Sequence, residues 1–456
     1  MYALAARHVS TNWPDHDEID KGEPYLAQAK ILLLAELSEK KPRITTIQGL
    51  LTLSGRQCAV GNISEGWTYA GMAFHMLTDA GLHLSLQKQM LDAELTAAEV
   101  EVRRRVYMAA FTWDKTLSLC LGRPPLILNL PTTLAEILDD SEDQHMWIPP
   151  NYPAYPPMPS YVTVCFQHFC SLSVIVPLVF TNLSLANQNL LQSHHTEILQ
   201  RRLHDWYDRL PAFLKLGKLN LHICPPIHIL GLNLLYHTLQ ILTTRSSIAR
   251  SGEPGIRRIA MRSCVEQAEI MHKLFNLCGA TFEWSNMTYL VTYCVYTAAM
   301  IDVNEMSSPS VAARERATVR LGVALRLLEG EVRQTPGVRS SIDIIKRRLV
   351  SSVSASGAVT PERHAMEIDA QTTATYDGNA MARVQPILGL ETPVSRIDLP
   401  LPKDQVTQPV PNTAQPDDRN EFDHFADLWS IGLDDLEVGF QPDSFAWNMD
   451  EGLHTV

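Results

Sequence analysis

The chain has 456 residues, which is long enough to bury one large hydrophobic core or two smaller ones. Its net charge of −12 is concentrated near the C-terminus, because residues 417–452 hold eleven acidic residues and one basic residue and so carry −10. The rest of the chain is nearly neutral. Neither part therefore has the basic face that binding to nucleic acid normally requires.

The eight cysteines lie mostly within apolar runs, and no two of them have the C-x-x-C spacing of a zinc or redox site. We therefore expect buried thiols in a reducing compartment. The first residues lack the apolar stretch of a signal peptide. The apolar runs 171–180 and 290–301 are shorter than the roughly 20 residues of a membrane span, which predicts core helices.

Apolar residues recur every three or four positions from Trp67 to Ala80, a pattern that predicts a helix with one buried face. We place its N-terminus after the segment Ser64–Gly66, and Gly81 ends it. The stripe consists of Trp67, Ala70, Phe74, Leu77 and Ala80.

A longer helix is predicted from Thr96, because Thr96 and Glu99 have the spacing of a capping box. Gly122 supplies a left-handed C-terminal cap, and Pro124 cannot continue the helix. Its predicted buried face consists of Val102, Val106, Ala110, Trp113 and Leu117.

Three consecutive arginines, Arg103, Arg104 and Arg105, lie on this second helix. Glu99 and Arg103 are four residues apart with the acid first, as are Glu101 and Arg105, and this order favours ion pairs. The run therefore predicts a solvated, ion-paired face and not a phosphate-binding surface.

Short motifs follow one another in a fixed order through this part of the chain. They are Thr46–Ser54, Gly66–Ala73, Ala80–His83, Glu101–Tyr107 and Asp114–Lys115 with Leu121–Pro124. Their order and spacing resemble the regulatory domain, or middle homology region, of fungal binuclear-zinc-cluster transcription factors of the xylanolytic activator type. A weaker similarity continues in 203–211 and 234–237, so the resemblance covers about residues 20–260.

The resemblance implies a multi-helical regulatory domain in a nuclear protein that controls transcription by RNA polymerase II, and no enzymatic activity. It implies structural roles for the motif residues Trp67, Tyr69, Gly71, Gly81, His83, Arg103, Arg104, Arg105, Asp114, Gly122, Arg123 and Pro124. His83, like His75, is expected to be structural and not a metal ligand. Lys346-Arg347-Arg348 is a short basic group of the kind used in nuclear import.

Members of that family contact DNA through a six-cysteine cluster that holds two zinc ions near the N-terminus. This chain has no cysteine before Cys58, so it departs from the pattern at the DNA-contacting element. Zinc is therefore expected as a cofactor only if such a cluster lies upstream. Two explanations remain open: a truncated chain, which we favour, or a regulator that forms a homo- or heterodimer with a full-length zinc-cluster factor.

The chain is predicted to have three parts. Residues 1–350 form an all-helical body that is interrupted by a proline-rich surface loop at 139–160. Residues 351–416 are rich in Ser, Ala, Thr and Pro and are predicted to be a disordered linker. Residues 417–456 form an acidic tail in which bulky apolar residues are interspersed.

The tail has the composition of a transcriptional activation domain, since carboxylates keep apolar side chains solvated until they dock on a coactivator or the transcription machinery. The alternative is a tail that folds back on the body through Trp429 and Trp447. The apolar residues assigned to activation are Phe422, Phe425, Leu428, Trp429, Leu433, Leu436, Phe440, Phe445 and Trp447.

A different functional class is suggested by Asp139, Asp140 and Asp143, which fit the D-D-x-x-D pattern of helical magnesium-dependent prenyl-diphosphate enzymes. Such carboxylates must project from a helix into an apolar cavity, whereas this segment runs into the proline-rich loop, and no second triad is evident. A solvated acidic loop is the favoured interpretation. The sequence also lacks H-E-x-x-H, phosphate-loop and G-x-S-x-G motifs.

Overall fold

The computed structural model describes residues 1–6, 22–38, 41–84, 95–128, 138–149, 152–184, 189–216, 222–250, 254–282, 284 and 287–356. Helices dominate this part of the chain, and the all-helical fold class is confirmed. The helices of the first half are α1 (Tyr2–Ala5), α2 (Glu23–Leu37), α3 (Ile44–Val60), α4 (Ile63–Asp79), α5 (Ala97–Leu121), α6 (Val162–Ser173), α7 (Val176–Ser184) and α8 (Asn189–Arg209). Those of the second half are α9 (Ile227–Arg250), α10 (Pro254–Thr281), α11 (Tyr289–Glu305), α12 (Val311–Glu331) and α13 (Val338–Ser356), and a short 3-10 turn, Ala212–Leu214, follows α8.

The proline-rich segment contains two short antiparallel strands, β1 (Met146–Trp147) and β2 (Met158–Pro159). Tyr155, between them, is buried, and its hydroxyl donates to the carbonyl oxygen of Cys224 at 2.8 Å. Its ring also stacks on Phe282, with the centroids 5.3 Å apart. An aromatic side chain therefore anchors the segment to the core, whereas the proline content predicted only a surface loop.

Helix α5 connects two hydrophobic cores. Leu117 is buried in a smaller core formed with α3 and α4, and Leu119 is buried in a larger core formed by the later helices. Two residues that are two positions apart on a helix point to nearly opposite sides. The single helix α5 therefore packs against both parts of the body.

The packing of α3 against α4 depends on Gly66. Helix α4 begins at Ile63, so Gly66 lies within its first turns and not before them as predicted. A Cβ atom at Gly66 would lie 2.6 Å from the Sγ atom of Cys58 on α3. The absence of a side chain thus permits the close approach of the two helices. The predicted stripe is buried at Ala70, Phe74 and Leu77 and half-buried at Trp67 and Ala80.

The capping box of α5 is present, since Thr96 Oγ1 accepts from the Glu99 N–H at 3.3 Å and Glu99 accepts from the Thr96 N–H at 2.8 Å. One predicted core position is wrong: Val102 is 44% exposed, whereas Val100 is buried. Periodicity places Val102 on the same side as Val106. Whether a position on that side is covered depends on how far the neighbouring helices extend.

The segment between the last two helices returns to the beginning of the body. The N–H of Gly337, just before α13, donates to the carbonyl oxygen of Ala59 in α3 at 3.0 Å. The Cα atom of Gly337 lies 3.4 Å from the position of a Cβ atom on Gly61, which has a φ of +97°. Helix α13 continues to Ser356, six residues into the predicted linker. The described helices therefore pack as one body.

The stretch Val162–Asn182 is long and apolar enough to cross a membrane, with a mean hydropathy of 1.8. Core helices of globular proteins often have the same length and composition. Here the stretch is divided into α6 and α7, and Leu172, Val176 and Val179 are buried in the larger core. Packing within the protein thus accounts for part of its apolar character, since 44% of the stretch is buried.

Candidate functional site

The motif pair Asp114 and Lys115 attaches the segment after α5 to that helix. The carboxylate of Asp114 accepts from the N–H of Leu126 at 3.0 Å and from the N–H of Ile127 at 2.9 Å. The Lys115 ammonium donates to Asp114 at 2.7 Å and to the carbonyl oxygen of Ile127, and it lies 4.3 Å from the ring centroid of Phe111. Two adjacent residues thus hold a turn that begins about ten positions later.

Both side chains are buried, with 0% of the Asp114 side chain and 1% of the Lys115 side chain exposed. Burial lowers the pKa of Lys115, and the neighbouring Asp114 carboxylate opposes that shift. Buried charges are tolerated where a partner of opposite sign and further hydrogen bonds satisfy them. The partners of this pair described above lie within the body, which gives the pair a structural role.

The turn itself brings together motif residues from two helices. Gly122 has a φ of +65° and ends α5, as the sequence predicts. The next residue, Arg123, lies with its guanidinium 5.2 Å from the ring centroid of Trp67 on α4. Pro124 follows and is exposed. The motifs at 66–73 and 121–124 therefore meet through a cation–π contact.

Two of the three arginines connect α5 to neighbouring segments. Arg103 donates to the carbonyl oxygen of Ala80 at 3.4 Å, at the negative end of the α4 dipole. Arg105 pairs with Glu101 at 2.6 Å, as predicted, and also donates to the carbonyl oxygen of Asp139 at 2.6 Å. The arginines thus have structural partners within the body.

The other predicted ion pair is replaced by different contacts. The Glu99 carboxylate is engaged by the N–H and hydroxyl of Thr96 in the capping box. Arg103, its expected partner, is directed to α4 instead. Arg104 lies 3.6 Å from Glu101. A helix cap competes with the side-chain pair for the same carboxylate, and here the cap forms.

A polar network around Glu65 connects α2, α3 and α4, and the sequence patterns did not reveal it. Glu65 accepts from the Tyr69 hydroxyl at 2.8 Å, from Lys30 at 2.6 Å and from Gln57, which in turn accepts from Arg56 at 2.6 Å. Burial would raise the pKa of Glu65, but the hydrogen bonds from Lys30, Tyr69 and Gln57 lower it. The motif residue Tyr69 therefore acts by orienting a carboxylate.

The remaining motif residues near α4 differ in how strongly the structure constrains them. A Cβ atom at Gly71 would have no heavy atom within 4 Å, apart from its own helix. Gly81 has a φ of +70°, so a residue with a side chain would be strained there. Leu82 is buried, whereas His83 and also His75 are exposed. In the turn after α4, packing is thus provided by Leu82 and not by His83.

The three aspartates of the D-D-x-x-D pattern have separate surroundings. Asp143 is 2% exposed, and its carboxylate accepts from the N–H of Thr163 at 2.7 Å and from the N–H of Val164 at 2.9 Å, at the N-terminus of α6. Asp139 is exposed and accepts from the N–H of Ser141 at 3.0 Å. Asp140 is exposed. Asp143 is therefore a helix cap, and the magnesium-enzyme alternative is wrong.

A second group of buried charges lies beyond the family motifs and was also missed. Asp302 is fully buried and contacts His272 at 2.6 Å and Arg320 at 2.7 Å. Arg320 pairs further with Glu305 and, at 3.3 Å, with Glu269. The group connects α10, α11 and α12. Its members are up to 51 residues apart along the chain, so no local pattern could indicate them.

The eight cysteines are free thiols, buried except for the half-buried Cys120. Burial raises the pKa of Cys58, Cys165 and Cys264 to about 12. Such thiols carry almost no thiolate at neutral pH. Within the described residues, no group of three or more His, Cys, Asp or Glu side chains could hold a metal ion.

The predicted tail, 417–456, and nearly all of the predicted linker lie outside the described residues. The nine apolar tail residues assigned to activation therefore stay a prediction. So does the boundary between linker and tail.

Comparison with known proteins matches residues 1–208 to the family described as the fungal specific transcription factor domain. The nitrogen assimilation transcription factor nit-4 of Neurospora crassa is 26% identical over 346 residues, which cover 72% of this chain and 30% of nit-4. The nitrogen assimilation transcription factor nirA of Emericella nidulans is 25% identical over 319 residues, which cover 66% of this chain and 35% of nirA. The TY1 enhancer activator of Saccharomyces cerevisiae is 24% identical over 228 residues, which cover 48% of this chain and 29% of that protein.

No solved structure matches the chain. The chain corresponds to about one third of the length of nit-4 and nirA. The matched segment contains the motifs at 46–54, 66–73, 80–83 and 101–124 and the contacts that connect them. The resemblance predicted from the sequence is thus confirmed over residues 1–208, the part of the chain that matches the fungal specific transcription factor domain.

Proposed function

We propose that this protein regulates transcription in fungi and that its helical body, residues 1–356, is the regulatory domain. The observation that carries the proposal is the family match over residues 1–208, a segment whose motif residues connect α4, α5 and the following turn. Similar proteins such as nit-4 and nirA are named as transcription factors. We propose a nuclear location and no catalytic role.

The acidic tail supplies activation in this proposal. Residues 417–452 carry −10 of the chain's net charge of −12, and aromatic residues lie among the carboxylates. Such a segment stays in contact with water when it has no partner, and it docks in a groove of a coactivator as a short amphipathic helix. We propose that DNA contact comes from a zinc cluster upstream of residue 1 or from a zinc-cluster partner, since the sequence has no cysteine before Cys58 and is nearly neutral outside residues 417–452.

Activation is tested by fusing residues 1–456 to an unrelated DNA-binding domain upstream of a reporter gene. We expect the fusion to activate the reporter, and Phe425→Ala, Trp429→Ala and Phe440→Ala together to abolish activation, because three large aromatic side chains of the docking surface are lost. The matched control is Ile259→Ala, which removes an exposed apolar side chain from the body. Activation that is unchanged by the triple substitution would refute the tail as the activation domain.

Partner choice needs a separate experiment. The tagged full chain is expressed in fungal cells, located by fluorescence and purified at moderate salt. We expect nuclear fluorescence and co-purification of a zinc-cluster protein or of an untagged second copy. A strictly monomeric chain that captures neither would contradict pairing, and exclusion from the nucleus would contradict the regulatory role.

A further inference from the structure

A surface cleft of about 320 Å³ lies between α8 and the end of α6. One wall is formed by Arg202, Asp205, Trp206 and Arg209, which recur at helical spacing and so share one face of α8. The other wall contains Ser171 and Ile175. This volume is at the lower end of the roughly 300–1,000 Å³ of small-molecule sites, which restricts an occupant to a small compound.

The aromatic wall of the cleft is fixed by its neighbours. The indole N–H of Trp206 donates to the hydroxyl of Ser171 at 2.8 Å, which joins α8 to α6. Tyr236 of α9 stacks on the same indole with the centroids 5.8 Å apart, and His168 contacts it edge-on at 6.5 Å. A flat apolar surface is therefore held in place before any ligand arrives, which lowers the entropic cost of binding.

The charged side chains that line the cleft are two arginines and one aspartate. Arg202 is exposed, and neither Arg202 nor Asp205 takes part in an ion pair within the described part of the chain. Arg209 donates through Nε to the main-chain oxygen of Asp205 at 3.0 Å. Burial lowers the pKa of His168, so its imidazole is neutral at pH 7. The cleft therefore carries two positive charges and one negative charge.

We propose that this cleft binds a small organic monocarboxylate with an apolar or aromatic body. A guanidinium matches a carboxylate in geometry and charge, and an indole surface with an aliphatic neighbour suits an apolar group. The net charge of the lining favours one negative charge over two. Two compound classes share this chemistry: plain carboxylates, and α-amino acids, whose ammonium group would face Asp205.

The proposal is tested by calorimetric titration of the purified full chain with benzoate, phenylalanine and leucine, with benzyl alcohol as the uncharged control. We expect saturable binding of at least one of the three carboxylates below about 10 mM and none of benzyl alcohol. Arg202→Gln should weaken that binding about tenfold. Arg201→Gln, next to it on α8, should change it less than twofold, because Arg201 pairs with Glu197 at 2.9 Å and does not line the cleft.

Asp205→Asn distinguishes the two classes. It should strengthen the binding of benzoate, because a repulsive charge is removed, and weaken the binding of an amino acid, because the partner of its ammonium group is lost. The absence of saturable binding for all three probes would overturn the proposal. Equal loss in Arg201→Gln and Arg202→Gln would also overturn it, since binding would then depend on charge in general. These measurements use no reporter, so they are independent of the proposed transcriptional function.

Discussion

The ammonium of Lys115 lies 2.7 Å from the carboxylate of Asp114, its neighbour in the chain, and both side chains are buried. Together they hold Leu126 and Ile127 against α5 through main-chain hydrogen bonds. A pair of adjacent residues thereby fixes the turn that carries Arg123 to Trp67.

Removing the charge of Asp114 should therefore destabilise the body. Asp114→Asn leaves Lys115 buried without its counterion, and we expect a loss of about 3 kcal/mol in the free energy of unfolding, as for other broken buried pairs. Denaturant unfolding followed by circular dichroism measures it. The double variant Asp114→Asn with Lys115→Met should lose less than Asp114→Asn alone, because no unpaired charge is left buried. An equal or larger loss would contradict the pairing.

The two glycines of the motif 66–73 should respond in opposite ways to alanine. Gly66→Ala places a Cβ atom 2.6 Å from the Sγ atom of Cys58 and 3.0 Å from the carbonyl oxygen of Ser54, and we expect a loss of about 1–3 kcal/mol. Gly71→Ala meets nothing within 4 Å and should gain about 0.5–1 kcal/mol from reduced unfolded-state entropy. Thermal unfolding of the two variants measures both, and equal effects would refute the packing of α3 on α4.

Mild acid should destabilise the protein through His237. This imidazole is 4% exposed, and burial lowers its pKa to about 4, while a hydrogen bond with Gln267 at 2.7 Å opposes the shift. Between pH 6.5 and pH 4 the unfolded chain binds a proton that the folded chain excludes, so stability falls as the pH falls through this window.

The size of this effect follows from the difference between the two pKa values. Relative to a His237→Gln variant, the wild-type protein should lose about 2 kcal/mol of unfolding free energy between pH 7 and pH 5. Denaturant titrations of both proteins at the two pH values give this difference directly. Parallel pH dependence of the two proteins would mean that His237 titrates normally in the folded state.

The charge group around Asp302 should be essential for the packing of α10, α11 and α12. Arg320→Gln leaves the buried Asp302 without its guanidinium partner, and we expect a loss of about 3 kcal/mol. Arg316→Gln, one turn earlier on α12, replaces an exposed side chain and should change stability by less than about 0.5 kcal/mol. Unfolding free energies from denaturant titration compare the two. Similar small effects would show that the cluster contributes little.

Much of the fold could be predicted because the signals are local. The capping box at Thr96 and the left-handed cap at Gly122 each depend on residues close to them in the chain, and both are present as predicted. The Glu101–Arg105 pair is also local and was predicted. Two local predictions failed. The Glu99 carboxylate binds the helix cap at Thr96 instead of Arg103, and Val102 is not covered by the neighbouring helices.

The sequence by itself determined the helical class, the ends of α5 and the family of residues 1–208, because helix caps, apolar periodicity and motif order are properties of neighbouring residues. Only the tertiary structure decided that Asp143 caps α6 instead of binding a metal, and that Glu65 and Asp302 organise buried networks. Only the tertiary structure, again, shows that Arg202, Trp206 and Ser171 line one cleft. These roles depend on which side chains meet after the helices pack, and burial then decides whether a charge must be paired or can remain in water.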